Sequence, residues 1–234
     1  MDIRTVPNPI VRAGGRWLRR VNDRHPWSHN DHFHGWILRR LPARRRRALD
    51  VGCGAGLLLS RLRGRFDEVL GVDADAAMAS VSAERFAGDP AVSVRHARFE
   101  EVGGTFDTIT MVAVLHHLPL EAALRHAADL LTPGGRLLVV GLARVETLTD
   151  LAWDLPSSLL NPLVGLIKHP QPVTEPVDDG GPPLPMRDPA ETFAEISGAV
   201  RGVLPGARLR RRLFFRYTLE WTRTDGPPPR RGTP

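Results

Sequence analysis

The segment Ala48-Leu49-Asp50-Val51 runs directly into Gly52-Cys53-Gly54-Ala55-Gly56 and then into Leu57-Leu58-Leu59. An apolar strand that ends on glycines at alternate positions must turn tightly. With the side chains removed, the backbone amides of that turn can approach a ligand closely. Glu68 to Asp73 reads as the next strand, and its last residue is an acid. An acid at that strand end is placed to accept hydrogen bonds from both hydroxyls of a ribose. A glycine cluster alone says little, but the cluster and the acid together indicate a nucleotide-like ligand at one edge of a sheet.

The chain around this pair alternates strand and helix. Leu57 to Leu62 and Ala76 to Phe86 read as helices, Val92 to His96 as a third strand, and Phe106 to Val114 as a fourth. Leu120 to Leu131 reads as a helix, Thr132-Pro133-Gly134-Gly135 as a turn, and Arg136 to Leu142 as a fifth strand. Such alternation predicts a parallel sheet with helices on both faces. Before it, residues 9–21 predict a basic amphipathic helix, and a second helix after Ser28 or Asn30 buries Phe33, Trp36, Ile37 and Leu41. After it, residues 146–167 read as broken apolar helix, and 170–189 as a proline-rich loop. Pro189 to Val203 returns to helix, and Leu209 to Trp221 forms two strands of a hairpin turning near Phe215-Arg216. These boundaries predict an N-terminal helical lid over 1–45, a main domain over 46–222 with a lid insertion at about 146–189, and a disordered tail over 223–234.

The spacing of the glycines separates two ligand classes. The dinucleotide fingerprint G-x-G-x-x-G requires a third glycine at position 57, which is Leu; the third glycine here is Gly56. Ala48 through Gly56, Gly71-Val72-Asp73, Phe106-Asp107 through Leu115-His116-His117-Leu118, and Leu131-Thr132-Pro133-Gly134-Gly135 resemble the successive motifs of the class I S-adenosylmethionine-dependent methyltransferases. The small-molecule group that includes the quinone-biosynthesis enzymes is the most similar. The resemblance covers about residues 46–142. It implies a Rossmann-like α/β fold with a seven-stranded, mostly parallel sheet, an antiparallel C-terminal hairpin, and S-adenosyl-L-methionine as cofactor.

The resemblance also implies roles. The backbone around Gly52, Cys53 and Gly54, with Gly56 completing the turn, faces the methionine part of the cofactor. Asp73 binds the ribose, Ala74 and Met78 flank the adenine, Phe99 stacks at the adenine edge, and Val112 is a further cofactor-binding residue. Asp50 orients water or the cofactor's ammonium, or is simply a strand-end acid satisfied by backbone amides. Members of the family often carry Asp just before the position of Phe99. This chain has Arg98 there and Glu100 after it, so adenine recognition falls to backbone groups or to Glu100.

Methyl transfer from a sulfonium is an in-line displacement that rests on proximity and alignment, with a general base needed only for a protonated acceptor. His116 and His29 are the candidate bases, and His117 reads as a structural group under the strand end. Trp27, His29 and His34 lie just before the first strand, where similar methyltransferases line the acceptor pocket; Trp36 reads as a docking residue. Trp153, Leu155, Leu159, Leu160 and Leu163 form the opposite, apolar wall. Helical spacing makes a metal site of His25, His29 and His32 conceivable, but only Asp31 adds a nearby carboxylate, and no metal is expected.

Charge narrows the partners. Residues 1–47 hold 12 Arg and 3 acids, residues 48–200 hold 10 Arg and Lys168 against 21 acids, and residues 201–234 hold 9 Arg and 2 acids. An acidic centre between two basic ends is not the footprint of a general nucleic-acid coat. Arginine in place of lysine is also what a G+C-rich coding sequence gives. RNA methylation, encouraged by Arg44–Arg47 and Arg208–Arg212, lacks the Asn-Pro-Pro-aromatic signature after the fourth strand, where Val112-Ala113-Val114-Leu115 stands. Residues 9–21 keep peripheral membrane contact open. The single cysteine, Cys53, excludes an intrachain disulfide. With no membrane-length apolar run and no apolar signal core after Met1-Asp2-Ile3-Arg4, a cytoplasmic enzyme acting on a small molecule is expected.

Overall fold

Seven strands form one sheet. The computed structural model describes residues 29–144, 188–213 and 216–224. The predicted helix over 9–21, Trp27, the segment 146–170 with Trp153, and the proline-rich stretch to residue 187 lie outside them.

The central strands are short and apolar because both of their faces are covered. β1 (Arg47–Val51) pairs in parallel with β2 (Glu68–Asp73) on one side and with β4 (Phe106–Val112) on the other. β3 (Val92–His96) extends the sheet beyond β2, and β5 (Leu131–Gly141) pairs in parallel with β4. β7 (Arg216–Thr222) is antiparallel to β5, and β6 (Arg208–Arg212) is antiparallel to β7 at the edge. The alternation of side chains sorts the core into two layers. Leu49, Val51, Ile109, Met111, Leu137 and Val139 face one layer. Ala48, Val69, Leu138 and Val140 face the other.

The first layer is closed by α4 (Leu120–Leu130) and α5 (Phe193–Val203), which pack on each other. The second is closed by α1 (His29–Leu38), α2 (Leu57–Leu62) and α3 (Ala76–Arg85). α1 places Phe33, Trp36 and Ile37 in the core, the last fully buried, and Leu41 follows it there. Each such buried side chain contributes ~2 kcal/mol. α3 starts at Asp75, whose carboxylate accepts from the amides of Ala77 and Met78 at 2.8 and 3.1 Å. α5 starts with a capping box between Thr192 and Glu195.

Three boundaries depart from the sequence expectation. β4 stops at Val112 rather than Val114, because Ala113 takes a left-handed backbone, φ 56°. β5 takes in the Thr132–Gly135 turn and accommodates it as an irregularity in its pairing with β4. Arg223, expected to begin a disordered tail, is held on the domain: its amide donates to the Gly135 carbonyl at 2.9 Å, and its guanidinium donates to the carbonyls of Ala128, Asp129 and Leu131.

Arg44–Arg47 lie where β1 begins, at the amino edge of the sheet. Asp107, 1% exposed, ties this run down. It accepts from the amides of Arg46 (2.7 Å) and Arg47 (3.2 Å) and from the Thr132 hydroxyl (2.8 Å), and it pairs with the Arg44 guanidinium at 3.1 Å. Burial pushes its pKa up, but those hydrogen bonds and the Arg44 charge outweigh it and hold the carboxyl below its usual range.

Candidate active site

The turns after β1, β2 and β4 meet at the carboxyl edge of the sheet, opposite the Arg44–Arg47 run. The glycine turn is hooked to β2: the amides of Gly52 and Cys53 both donate to the Val72 carbonyl, at 2.8 and 3.1 Å. Its three glycines all have positive φ, but they serve different ends. A Cβ on Gly52 would stand 2.6 Å from Val114 Cγ2, and one on Gly56 would stand 2.6 Å from Ser82 Oγ and 2.7 Å from Phe86 Cε2. Those two glycines let the turn seat against β4's exit and against α3. A Cβ on Gly54 would meet nothing within 4 Å, so Gly54 is the glycine that opens outward.

Asp73 closes the other side of this opening. Its two carboxylate oxygens are oriented by backbone, accepting from the Gly54 amide at 2.8 Å and the Asp75 amide at 2.9 Å. Asp50 lies beneath, 3% exposed, with the Thr110 hydroxyl donating to its Oδ1 at 2.6 Å. Burial, against the Thr110 hydrogen bond and with a smaller contribution from the nearby Asp73 charge, raises the Asp50 pKa to about 7. Among the described residues, Thr110 is the side-chain partner of Asp50. Burial and the same two carboxylates push the Cys53 thiol up to about 12, so Cys53 is a packed, neutral group with Ser82 Oγ at 4.0 Å.

β4 leaves the sheet through Val112, half-buried, and Ala113, whose amide donates to the Val140 carbonyl at 2.8 Å. A non-glycine residue in the left-handed region is uncommon, and such strain concentrates at functional sites. The strained turn delivers a short 3-10 helix, Leu115–His117. Leu115 is buried under it, His116 is half-buried, and His117 is exposed rather than tucked beneath the strand. The two imidazole rings lie with centroids 4.0 Å apart.

The remaining sequence candidates fall as follows. Ala74 is exposed after Asp73, with its carbonyl accepting from His96 Nε2 at 3.2 Å, while Met78 is buried in α3. Phe99 is 4% exposed, and its ring meets the edge of His126 at a 4.8 Å centroid distance. His126 Nε2 lies 3.1 Å from the Phe99 carbonyl. Glu100 is exposed beside Arg98, whereas Glu101 accepts from the Arg98 amide at 2.9 Å. His34 is 3% exposed on α1, and of His29 the helical backbone alone is described. The described residues contain no cluster of His, Cys, Asp or Glu that could hold a metal. Sequence reasoning missed Thr110, Ala113 and His126. A threonine in a buried strand and an alanine after it carry no local signal.

Residues 49–137 match the family model described as a methyltransferase domain. An uncharacterised methyltransferase of Mycobacterium bovis is 33% identical over 205 residues, covering 84% of this chain and 96% of the relative. A ubiquinone biosynthesis O-methyltransferase of Paracidovorax citrulli is 36% identical over 108 residues, 43% of this chain and 45% of that protein. Among solved structures, magnesium protoporphyrin IX methyltransferase from Synechocystis with bound S-adenosylhomocysteine superposes with a TM-score of 0.53 at 20% identity, covering 95% of this chain and 100% of that one. The N-methyltransferase NodS from Bradyrhizobium japonicum with S-adenosylhomocysteine gives a TM-score of 0.55 at 16% identity, covering 90% and 98%. The strand order and these relatives agree: the chain belongs to the methyltransferases. Its fold is that of the S-adenosylmethionine-dependent members.

Proposed function

We propose that this chain transfers a methyl group from S-adenosyl-L-methionine to a small, partly hydrophobic acceptor, a specialised metabolite or a quinone or lipid-like molecule, by in-line displacement. One observation carries the choice of donor: two carboxylates, Asp50 and Asp73, stand around an outward-opening glycine. Burial first, and then the charge of Asp73, raise the pKa of Asp50, so a cationic group bound beside these two acids is favoured. The residues present therefore fit this cofactor.

In this reading the Gly52, Cys53 and Gly54 backbone holds the amino-acid end, with Gly56 keeping the turn seated. Asp50 sets the charge beneath the ammonium. Asp73 accepts from the ribose hydroxyls, and Ala74, Met78, Phe99 and Val112 border the adenosine. The cofactor when bound supplies a methyl carbon on a cationic sulfur, already an excellent leaving group. The chain contributes alignment and a proton acceptor. His116, delivered by the strained exit of β4, takes a proton from the acceptor's hydroxyl, phenol or amine; His29 is the second candidate. Trp27, His34 and Trp153 wall the acceptor.

The ubiquinone-pathway name of one relative supports a quinone-like acceptor. Use of Arg44–Arg47 for nucleic acid is disfavoured because they lie at the amino edge of the sheet, opposite the glycine turn. None of the described helices is long and apolar enough to cross a membrane, which fits the proposed cytoplasmic location. The deciding experiment is calorimetric titration with S-adenosylhomocysteine. Wild type binds it and not a nicotinamide dinucleotide, and Asp73→Ala loses about a hundredfold or more in affinity, two charge-assisted hydrogen bonds being removed. Unchanged affinity in Asp73→Ala refutes the assignment.

A further inference from the structure

The Thr110 hydroxyl stands within hydrogen-bond reach of two oxygens, Asp50 Oδ1 at 2.6 Å and the Leu49 carbonyl at 3.3 Å. A hydroxyl has one proton to donate and two lone pairs with which to accept. Two arrangements of hydrogen therefore fit the same heavy atoms. With Asp50 ionised, Thr110 donates to Oδ1. With Asp50 protonated, the acid donates to Thr110 Oγ1, and the hydroxyl turns to the Leu49 carbonyl. Leu49 and Thr110 are fully buried and Asp50 nearly so, which keeps bulk water out of both arrangements.

This sets Asp50 apart from Asp107. Asp107 accepts from the amides of Arg46 and Arg47 and pairs with Arg44. An amide or a guanidinium only donates, so those partners serve the ionised form alone. Among the described residues, neither a backbone amide nor a cation hydrogen-bonds to Asp50; its partner is a group that serves either form.

The neighbouring elements bring the groups that can carry charge. β2, parallel to β1, ends on Asp73, whose charge acts on Asp50. The glycine turn brings Cys53, which burial keeps neutral. β4 brings Asp107 at its far end, where the arginines hold it. α1 brings His32, exposed, and His34, buried. α2 brings Arg61 and α3 brings Glu84 and Arg85, all exposed in the last turns of those helices. Two carboxylates sharing a site without a cation repel each other, and a proton on one relieves that. A pKa of about 7 for Asp50 puts both of its forms within reach near neutral pH.

We propose that Thr110 is a reversible partner that lets Asp50 wait in its protonated form and lose that proton when the cofactor's ammonium enters the glycine turn, so that cofactor binding is coupled to proton release. The inference rests on the methyl-transfer reading, which sets the ammonium above Asp50. The bond broken is the O–H of Asp50, its proton passes to the buffer, and the Thr110 O–H turns from the Leu49 carbonyl to Oδ1. A cation beside the carboxyl favours the ionised form. By reciprocity the cofactor binds that form more tightly, so affinity rises with pH until Asp50 is ionised without help. Thr110 acts through Asp50 and is a positioning residue.

The test is calorimetric titration of the full-length protein with S-adenosylhomocysteine in buffers of different ionisation enthalpy, which counts the protons exchanged. Wild type should release close to one proton per ligand at about pH 6 and about half of one at pH 7, with affinity rising about fivefold between them. Asp50→Asn should release none and bind with an affinity that pH does not move over this range. Thr110→Val removes the hydroxyl, whose bond to the charged form is the stronger of the two, and should shift the rise in affinity to higher pH; Thr110→Ser should restore the wild-type profile. Infrared difference spectra add a readout that needs no affinity: a carboxylic-acid C=O band present in the free protein at pH 6, lost on adding S-adenosylhomocysteine and missing from Asp50→Asn. Binding without proton release, release that persists in Asp50→Asn, or an unmoved profile in Thr110→Val overturns the proposal alone. Failure of wild type to bind S-adenosylhomocysteine at any pH would sink the methyl-transfer reading, and this inference with it.

Discussion

The Thr110 hydroxyl donates to Asp50 Oδ1 across the β1–β4 boundary at 2.6 Å, beneath the open glycine. The hydroxyl partly offsets the burial of a carboxyl that would otherwise be costly to ionise. With a folded pKa of about 7 and an unfolded one near 4, the folded protein holds a proton that the unfolded chain releases. Stability from this group is therefore greatest at low pH and falls as pH rises from about 4 to 7. Asp50→Asn should remove that fall and raise stability at pH 8 by about 1–2 kcal/mol. Denaturant melts of both proteins at pH 5 and pH 8 check this: equal differences at the two values would contradict it.

Asp107 behaves with the opposite sign. Its pKa is held down, so its contribution is present above the ordinary carboxylate range and is lost as pH falls through the lowered value. Asp107→Asn keeps the shape and loses the Arg44 ion pair and the charge on three hydrogen bonds. A loss of about 1–3 kcal/mol at pH 7 is expected, shrinking below pH 4, with S-adenosylhomocysteine affinity intact because the residue lies at the amino edge.

The glycines separate folding from binding. Gly52→Ala drives a methyl into Val114 and should cost about 2–4 kcal/mol. Gly54→Ala meets nothing and costs only the left-handed backbone, about 1–2 kcal/mol, while placing a methyl where the ligand lies. Melting temperature should drop more for Gly52→Ala, and cofactor affinity relative to folded protein should drop for Gly54→Ala. The reverse ranking would move the ligand away from Gly54.

His116→Gln should lower kcat about a hundredfold or more with an acceptor that must lose a proton, and should flatten the acid limb of the pH–rate profile. Cofactor affinity should hold. A parallel fall in affinity would make His116 a binding residue instead.

The layers of the fold were legible because Leu49, Val51, Leu137 and Val139 obey a two-residue period and Phe33, Trp36 and Ile37 a helical one. The glycines and Asp73 were legible because their spacing is local. Thr110 was not, because its partner is sixty residues away in sequence and adjacent only after β1 and β4 pair. Nor could composition separate the uses of arginine. Arg44 is spent on Asp107, Arg211 on Phe193 and Arg223 on carbonyls.

The position of β7 has a consequence for synthesis. β5 is made well before β7, with Leu137–Val140 fully buried in the finished sheet, yet β7 is its outer neighbour and the last of the seven strands to emerge. Until residue 222 has left the ribosome, β5 offers its unpaired backbone and apolar side chains to any extended chain nearby. The hairpin that closes that edge carries arginines along its own free side, so the nascent protein passes from a sticky margin to a charged one in a single late step.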